Sequence, residues 1–80
     1  MSISNKIKFA MAEKNKNIST IADALKITNQ AVSNKLNRGT FSVDDLIKIA
    51  DCLGYQLAFF CEDAKIEFNL KDIKNIKNKE

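Results

Sequence analysis

The 80-residue sequence predicts a mainly α-helical fold of four helices followed by a C-terminal β-hairpin. Apolar residues recur at helical spacing through residues 3–53, and after Gly54 their period changes to two. The chain has no Pro and only two Gly, which also favours a compact helical domain. We divide it into residues 1–54 and residues 55–80, which we expect to form one compact unit.

Two amphipathic helices are predicted in the first 25 residues. Their apolar stripes are Ile3, Ile7, Ala10 and Met11 in the first helix, and Ile21, Ala22 and Leu25 in the second. The candidate capping residues are Ser2 or Ser4 for the first helix, and Asn17 or Ser19 for the second. The first helix should reach about Asn15, and the second should end near Leu25.

A third helix is predicted after a sharp turn, so that the second and third helices form a helix-turn-helix. Ile27 is the apolar plug of the turn, Thr28 can cap the third helix, and Gly39 can end it. The apolar stripe is Ala31, Val32 and Leu36. The outward positions are polar and rich in amides: Asn29, Gln30, Ser33, Asn34, Lys35 and Asn37. Amides both donate and accept hydrogen bonds, as the reading of base edges in a DNA major groove requires.

The segment IADALKITNQAVSNKL resembles the core of the lambda-repressor-like DNA-binding domains of the Cro or XRE type. The resemblance covers about residues 4–57, and the continuation LNRGTFSVDDLIKIADCLGYQLAF is similar to a subgroup of small bacterial and phage regulators. It implies base-reading or base-adjacent positions for Asn29, Gln30, Ser33 and Asn34. It also implies that Arg38 through Thr40 lie in a loop along a phosphate backbone.

Two positions differ from the family pattern. Lys26 stands where Gly is usual, and a left-handed conformation there would cost about 1–2 kcal/mol. The Gln that commonly grips a phosphate at the start of the second helix has no match, and the nearby residues are Ile18, Ser19 and Thr20. The candidate DNA-binding residues are therefore Ser19, Thr20, Thr28, Asn29, Gln30, Ser33, Asn34, Lys35, Asn37, Arg38 and Thr40.

The net charge of +3 is unevenly distributed along the chain. Residues 1–41 carry seven basic and two acidic side chains, whereas residues 42–70 carry two basic and six acidic ones. A basic half that coincides with the helix-turn-helix is the footprint expected for phosphate binding, and the acidic half should point away from DNA. A Lys-rich solubilising surface would produce the same pattern, so charge alone leaves both interpretations open.

A fourth helix is predicted between Ser42 and Gly54. Ser42 and Asp45 resemble a capping box in which Asp replaces the usual Glu or Gln, and Phe41 and Leu46 are placed as a hydrophobic staple. The apolar stripe is Leu46, Ile49, Ala50 and Leu53. We interpret this helix as core scaffold.

The hairpin is predicted from two alternating segments joined by a turn at residues 62–65. Its apolar face contains Leu57, Phe59, Cys61, Ile66, Phe68 and Leu70. Because a lone hairpin is unstable in water, we expect this face to cover the helices. In the tail, Leu70, Ile73 and Ile76 are three residues apart, which fits a short terminal helix or a frayed end.

Dimerisation through the hairpin is expected for two reasons. A chain this short buries only about 60% of its unfolded surface, and a hairpin leaves an open edge. Phe60, on the opposite face, would gain a partner in a homodimer, although it could also be a scattered exposed apolar residue. The candidate dimerisation residues are Leu57, Phe59, Phe60, Ile66 and Phe68.

Several classes of function are disfavoured by the sequence. It has no His, two isolated Cys and no Gly-rich phosphate loop, so we expect neither an enzyme nor a cofactor or metal site. No run approaches membrane-spanning length, and the N-terminal MSISNKIK lacks the apolar core of a signal peptide. We therefore expect no membrane association and a cytoplasmic location.

The leading hypothesis is a sequence-specific double-stranded-DNA-binding transcriptional regulator, a repressor that acts as a homodimer. The alternative is a protein-interaction module, such as an antitoxin that masks a toxin through its hairpin and tail. In that case DNA binding would be secondary.

Overall fold

The computed structural model describes residues 2–73. The elements in chain order are α1 (Ile3–Glu13), α2 (Ile18–Leu25), α3 (Asn29–Arg38), α4 (Val43–Leu53), β1 (Leu57–Cys61), β2 (Ala64–Phe68) and a 3-10 helix (Leu70–Asp72). The predicted mainly helical fold with a C-terminal antiparallel hairpin is confirmed. Among the helices of this part of the chain, none is long and apolar enough to cross a membrane.

Three of the four α-helices begin at a capping hydroxyl. These hydroxyls, each accepting a backbone N–H bond of 3.0 Å, belong to Ser2, Thr28 and Ser42. The capping box is confirmed, since the Asp45 carboxylate also accepts from the Ser42 N–H at 3.1 Å. At α2, Asn17 is the N-cap without a side-chain hydrogen bond, and Ser19 lies inside the helix. Neither predicted side chain therefore caps α2.

The ends of α1 and α2 are set by left-handed residues. Helix α1 ends at Glu13, two residues earlier than predicted, and Asn15 beyond it has a φ of 58°. Helix α2 ends at Leu25 as predicted, and Lys26 adopts a left-handed conformation with φ 59° and ψ 46°. The Ile27 N–H then bonds to the Ala22 carbonyl at 3.1 Å, which closes the turn before α3.

Replacing Lys26 with Gly is expected to raise the free energy of unfolding by about 0.5–1 kcal/mol. The change removes a left-handed penalty of about 1–2 kcal/mol and adds up to about 1 kcal/mol of unfolded-chain entropy. Urea unfolding measures the difference. Lys8→Gly, in the exposed face of α1, is the matched control and should lower stability by about 1 kcal/mol. A Lys26→Gly protein no more stable than wild type would contradict strain at this turn.

The core lies between the four helices. Its buried residues are Ile7, Ile21, Ala22, Leu25, Val32, Leu36, Ile49 and Leu53. Phe41 and Leu46, the predicted staple residues, are half-buried against this cluster, as is Ile27. The predicted stripes need two corrections: Ile3 stays exposed at the start of α1, and Ile47, which the predicted stripe omits, is buried on α4.

The hairpin differs from the prediction in its turn. Only Glu62 and Asp63 join the strands, so β2 begins at Ala64 instead of Ile66 and ends at Phe68. In the resulting register Leu57 faces Phe68, and Phe59 faces Ile66. Leu70 lies in the 3-10 helix and not in the strand.

The hairpin does not cover the helices as predicted. Phe59 is 66% exposed and Ile66 is 62% exposed, whereas Leu57 and Phe68 at the base are half-buried. Only three residues separate α4 from β1, so the base of the hairpin meets α4 and the strands then project from the helical body. The apolar face beyond the base is left to solvent.

The segment after the hairpin returns to α4. The 3-10 helix contacts α4, and Ile73, the residue after the 3-10 helix, is fully buried. Asn69 caps the 3-10 helix by accepting from the Lys71 N–H, and its own N–H donates to Asp72. In place of the predicted terminal helix, the described residues contain a 3-10 helix that ends at Asp72, and Ile76 lies outside the described residues.

Candidate nucleic-acid interface

The outer face of α3 is a row of amide side chains. Val32 and Leu36, on the opposite face, are buried in the core and thereby fix the rotation of the helix. The amides on the outer face are exposed: Asn29, Gln30, Asn34 and Asn37. Ser33 and Lys35 are half-buried, so two of the six positions expected to face outward are partly covered.

Two hydrogen bonds order this row before any ligand binds. The Gln30 amide nitrogen donates to Asn34 Oδ1 at 3.2 Å, one helical turn away. The Asn29 amide nitrogen donates to Ser19 Oγ on α2 at 3.2 Å. Each amide has both donor and acceptor atoms, so Gln30 and Asn34 keep further polar atoms for another partner. The row can therefore present a fixed pattern of donors and acceptors.

The N-terminal end of α3 gathers several candidate residues. Ser19 reaches Asn29 across the turn, and Thr20 lies next to it in α2, half-buried. The Thr28 hydroxyl accepts from the Ala31 N–H, so its oxygen is occupied by capping. The start of a helix attracts anions because its first N–H groups are free and its dipole is positive there. This end has the polarity needed to receive a phosphate.

At the C-terminal end of α3, Arg38 and Thr40 are exposed on either side of Gly39. Gly39 has a φ of 69° and ends the helix as predicted, with its N–H bonded to the Lys35 carbonyl at 2.7 Å. Within residues 2–73 the ion pairs are Lys35–Asp45 and Lys65–Glu67, so the Arg38 guanidinium has no carboxylate partner there. It is available to an anion.

Lys35 has a different environment from the one predicted. Its Nζ lies 3.1 Å from Asp45 Oδ2, the same oxygen that accepts from the Ser42 N–H. The pair is only partly exposed and joins the last turn of α3 to the first turn of α4. A phosphate would have to compete with this carboxylate for Lys35. Lys35 remains a candidate DNA-binding residue, and its Nζ is already paired with Asp45 in the structure.

Ser4 also positions α3, a role that the sequence alone does not indicate. Its hydroxyl donates to the Leu36 carbonyl at 2.6 Å, and Ser4 is the buried polar residue of the described chain. Leu36 lies in the last turn of α3, where carbonyls have no partner within the helix. Of the two predicted caps for α1, Ser2 performs that role and Ser4 instead anchors α3.

The Asp45 carboxylate is kept ionised by its partners. Partial burial acts to raise its pKa, but the hydrogen bond from the Ser42 N–H and the bond and charge of Lys35 outweigh burial and lower the pKa of Asp45. The ionised form therefore stabilises the folded state. That contribution is present above the unfolded pKa of about 3.9 and is lost as pH falls through the lower folded pKa.

Replacing Asp45 with Asn is expected to lower the free energy of unfolding by about 1 kcal/mol at neutral pH. The difference from wild type should shrink from neutral pH into acid, as the pH falls below the unfolded pKa and through the lower folded pKa of Asp45. Urea unfolding across this range tests the prediction. Asp44→Asn makes the same change one residue earlier and leaves the Lys35 bond intact, so its effect should be smaller. A difference for Asp45→Asn that persists in acid would contradict an electrostatic origin.

The described residues contain no group of three or more His, Cys, Asp or Glu side chains that could hold a metal ion. Cys52 and Cys61 are free thiols, and burial together with the charge of Asp51 raises the pKa of Cys52. The arrangement of α3 is thus the feature with the clearest binding chemistry.

A comparison with protein-family models, curated proteins and solved structures finds no match for this chain.

Proposed function

We propose that the protein is a sequence-specific regulator that binds double-stranded DNA by placing α3 in the major groove. The observation that carries the proposal is the ordered row of exposed amides on α3, with Gln30 held by Asn34 and Asn29 held by Ser19. The resemblance of residues 4–57 to lambda-repressor-like helix-turn-helix domains supports it. On this proposal, α2 and α3 form the helix-turn-helix.

The dimensions of α3 match those of the major groove of B-DNA. An α-helix with its side chains is about 10–12 Å across, and the major groove of B-DNA is about 12 Å wide. Ten residues span about 15 Å, the length of about four base pairs. Asn29, Gln30, Ser33 and Asn34 would read base edges in this segment, where an amide can bond bidentately to adenine.

Phosphate contacts would come from both ends of α3. Ser19 and Thr20 lie at its N-terminal end, and Arg38 and Thr40 lie at its C-terminal end. Such contacts fix the orientation of a helix on the duplex without carrying sequence information. Ser4 and the Lys35–Asp45 pair would hold α3 against the helical body during binding.

We further propose that a homodimer places two copies of α3 in successive major grooves, about 34 Å apart. Binding of such a dimer to a promoter would block transcription, which would make the protein a repressor. It would act in the cytoplasm, as a bacterial or a phage regulator. The exposed Phe59 and Ile66 supply the apolar surface for pairing.

Selection from a pool of random duplexes, followed by footprinting, tests the proposal. We expect enrichment of an inverted repeat whose half-sites lie about 10 base pairs apart. The matched control is the triple variant Asn29→Ala, Gln30→Ala and Asn34→Ala, which keeps the net charge and should bind DNA without selecting a sequence. Recovery of an unenriched pool with the wild-type protein would overturn the proposal.

The exposed hairpin also favours a second candidate function, a partner-binding module of the antitoxin kind. Phe59 and Phe60 give it large apolar side chains on both faces. A chain that remains monomeric alone, fails the duplex selection and buries Phe59 and Phe60 only in a complex with a second protein would favour this function.

A further inference from the structure

The projecting hairpin carries one continuous apolar face. Phe59 and Ile66 face each other across the strands, and the Phe68 ring packs edge-on against Phe59 with centroids 5.0 Å apart. The other face is mixed: Phe60 lies there beside Lys65 and Glu67, which form an ion pair of 3.3 Å. The hairpin therefore has an ordered apolar face that its own helices do not cover.

A groove of about 470 Å³ opens next to the base of the same hairpin. It runs between α1 and α4 and is almost entirely apolar, with Ile7, Leu46, Leu53 and Leu57 among its lining residues. Lys6 is the charged residue of the lining. A second ammonium group is close by, because Lys14 Nζ lies 4.8 Å from the ring centroid of Tyr55, which also lines the groove.

The charges of the hairpin tip and of the groove are complementary. Glu62 and Asp63 form the two-residue turn at the tip, and Lys6 and Lys14 lie at the groove. A five-residue strand spans about 17 Å, so the tip of a hairpin cannot reach the groove at its own base. If two hairpins pack in opposite directions across a two-fold axis near the Phe59–Ile66 pair, each tip meets the base of the other.

We propose that the groove between α1 and α4 is a docking site for the hairpin tip of a second copy of this chain. The hairpin of each copy extends to the other copy, so that the Phe59 and Ile66 faces of the two hairpins pack together. The acidic tip of each hairpin then lies beside Lys6 of the other copy. None of the candidate DNA-binding residues lines the groove, so both copies of α3 stay free. This arrangement specifies the homodimer of the proposed function, and it rests on that proposed function.

Sedimentation equilibrium without DNA tests the apolar part of the interface. Wild type is expected to be a dimer, and Phe59→Lys is expected to be a monomer at the same concentration. The matched control is Phe60→Lys, the same change at the neighbouring residue on the opposite face, which should remain dimeric with unchanged helical circular dichroism. A monomeric wild type, or equal dissociation of the two variants, would overturn this arrangement.

A charge exchange tests the docking of the tip. Lys6→Glu should weaken the dimer about tenfold, because the contact occurs twice in a two-fold dimer. Adding Glu62→Lys to the same chain should restore the affinity, whereas Lys8→Glu, which has the same charge change outside the groove lining, should have no effect. Equal losses for Lys6→Glu and Lys8→Glu, or no rescue, would overturn the docking site. These measurements contain no DNA, so they test the dimer alone. The selection of duplexes by the wild-type protein tests the proposed DNA binding, and a failure of one can be told from a failure of the other.

Discussion

Replacing Gln30 with Ala is expected to lower the affinity for the selected operator by about 5- to 150-fold for each half-site. A bidentate bond between an amide and adenine discriminates against the wrong base by about 1–3 kcal/mol. Gln30 is already held by Asn34, so it loses little side-chain freedom on binding. Its affinity for random duplex should hardly change, because that affinity comes from phosphate contacts.

Fluorescence anisotropy with labelled operator and labelled random duplex measures both affinities. Asn5→Ala is the control, since it removes an exposed amide from α1 and leaves α3 unchanged. It should bind both duplexes as the wild type does. Equal losses of Gln30→Ala on operator and random duplex would remove Gln30 from the base-reading residues.

Replacing Ile73 with Ala is expected to cost about 2–5 kcal/mol of folding stability, the range for truncating a buried Ile. Ile73 is fully buried, and the 3-10 helix before it contacts α4. A chain of this length has a stability of about 4–12 kcal/mol, so the loss is a large share of the total. We also expect faster hydrogen exchange in the hairpin, because only Asn69 separates the 3-10 helix from β2.

Urea unfolding measures the cost, and Val43→Ala is the control. Val43 is 56% exposed at the start of α4, so its truncation should change stability by less than about 0.5 kcal/mol. A loss below about 1 kcal/mol for Ile73→Ala would mean that the segment after the hairpin does not hold the hairpin to α4.

Local signals in the sequence predicted much of the helical framework. Thr28 and Ser42 were identified as caps, and Gly39 as a helix end, because each acts on backbone groups within a few residues of itself. Lys26 stands where the family that the turn resembles usually has Gly, which indicated the cost of a left-handed conformation there but not that Lys26 adopts it. The fold class followed from the same local patterns.

Contacts between distant residues were not predictable in this way. Ser4 and Leu36 are 32 positions apart, and the pairing of Lys35 with Asp45 depends on how α3 meets α4. From the sequence alone, Ser4 is a candidate cap for α1, and Lys35 is a candidate DNA-binding residue. The pattern of polar residues therefore identified the exposed face of α3, but not the bonds that hold it.

The sequence did not predict the two-residue turn of the hairpin or the exposure of its apolar face, and the reason is related. Glu62 and Asp63 are not the Asn-Gly or Asp-Gly pair that marks a two-residue turn, so the sequence favoured a longer one. Alternation then predicted an apolar face correctly but could not show whether helices or solvent lie against it. Only the structure shows that Phe59 and Ile66 are exposed to solvent.

The salt dependence of operator binding tests the central claim, that the face of α3 binds DNA, most directly. If a dimer neutralises about six to eight phosphates, a plot of log K against log salt concentration should have a slope of about −5 to −7. Arg38→Gln should make that slope shallower by about one for each copy, while Lys35→Gln should change it less because Asp45 already holds Lys35. A wild-type slope near zero would contradict DNA binding by this face.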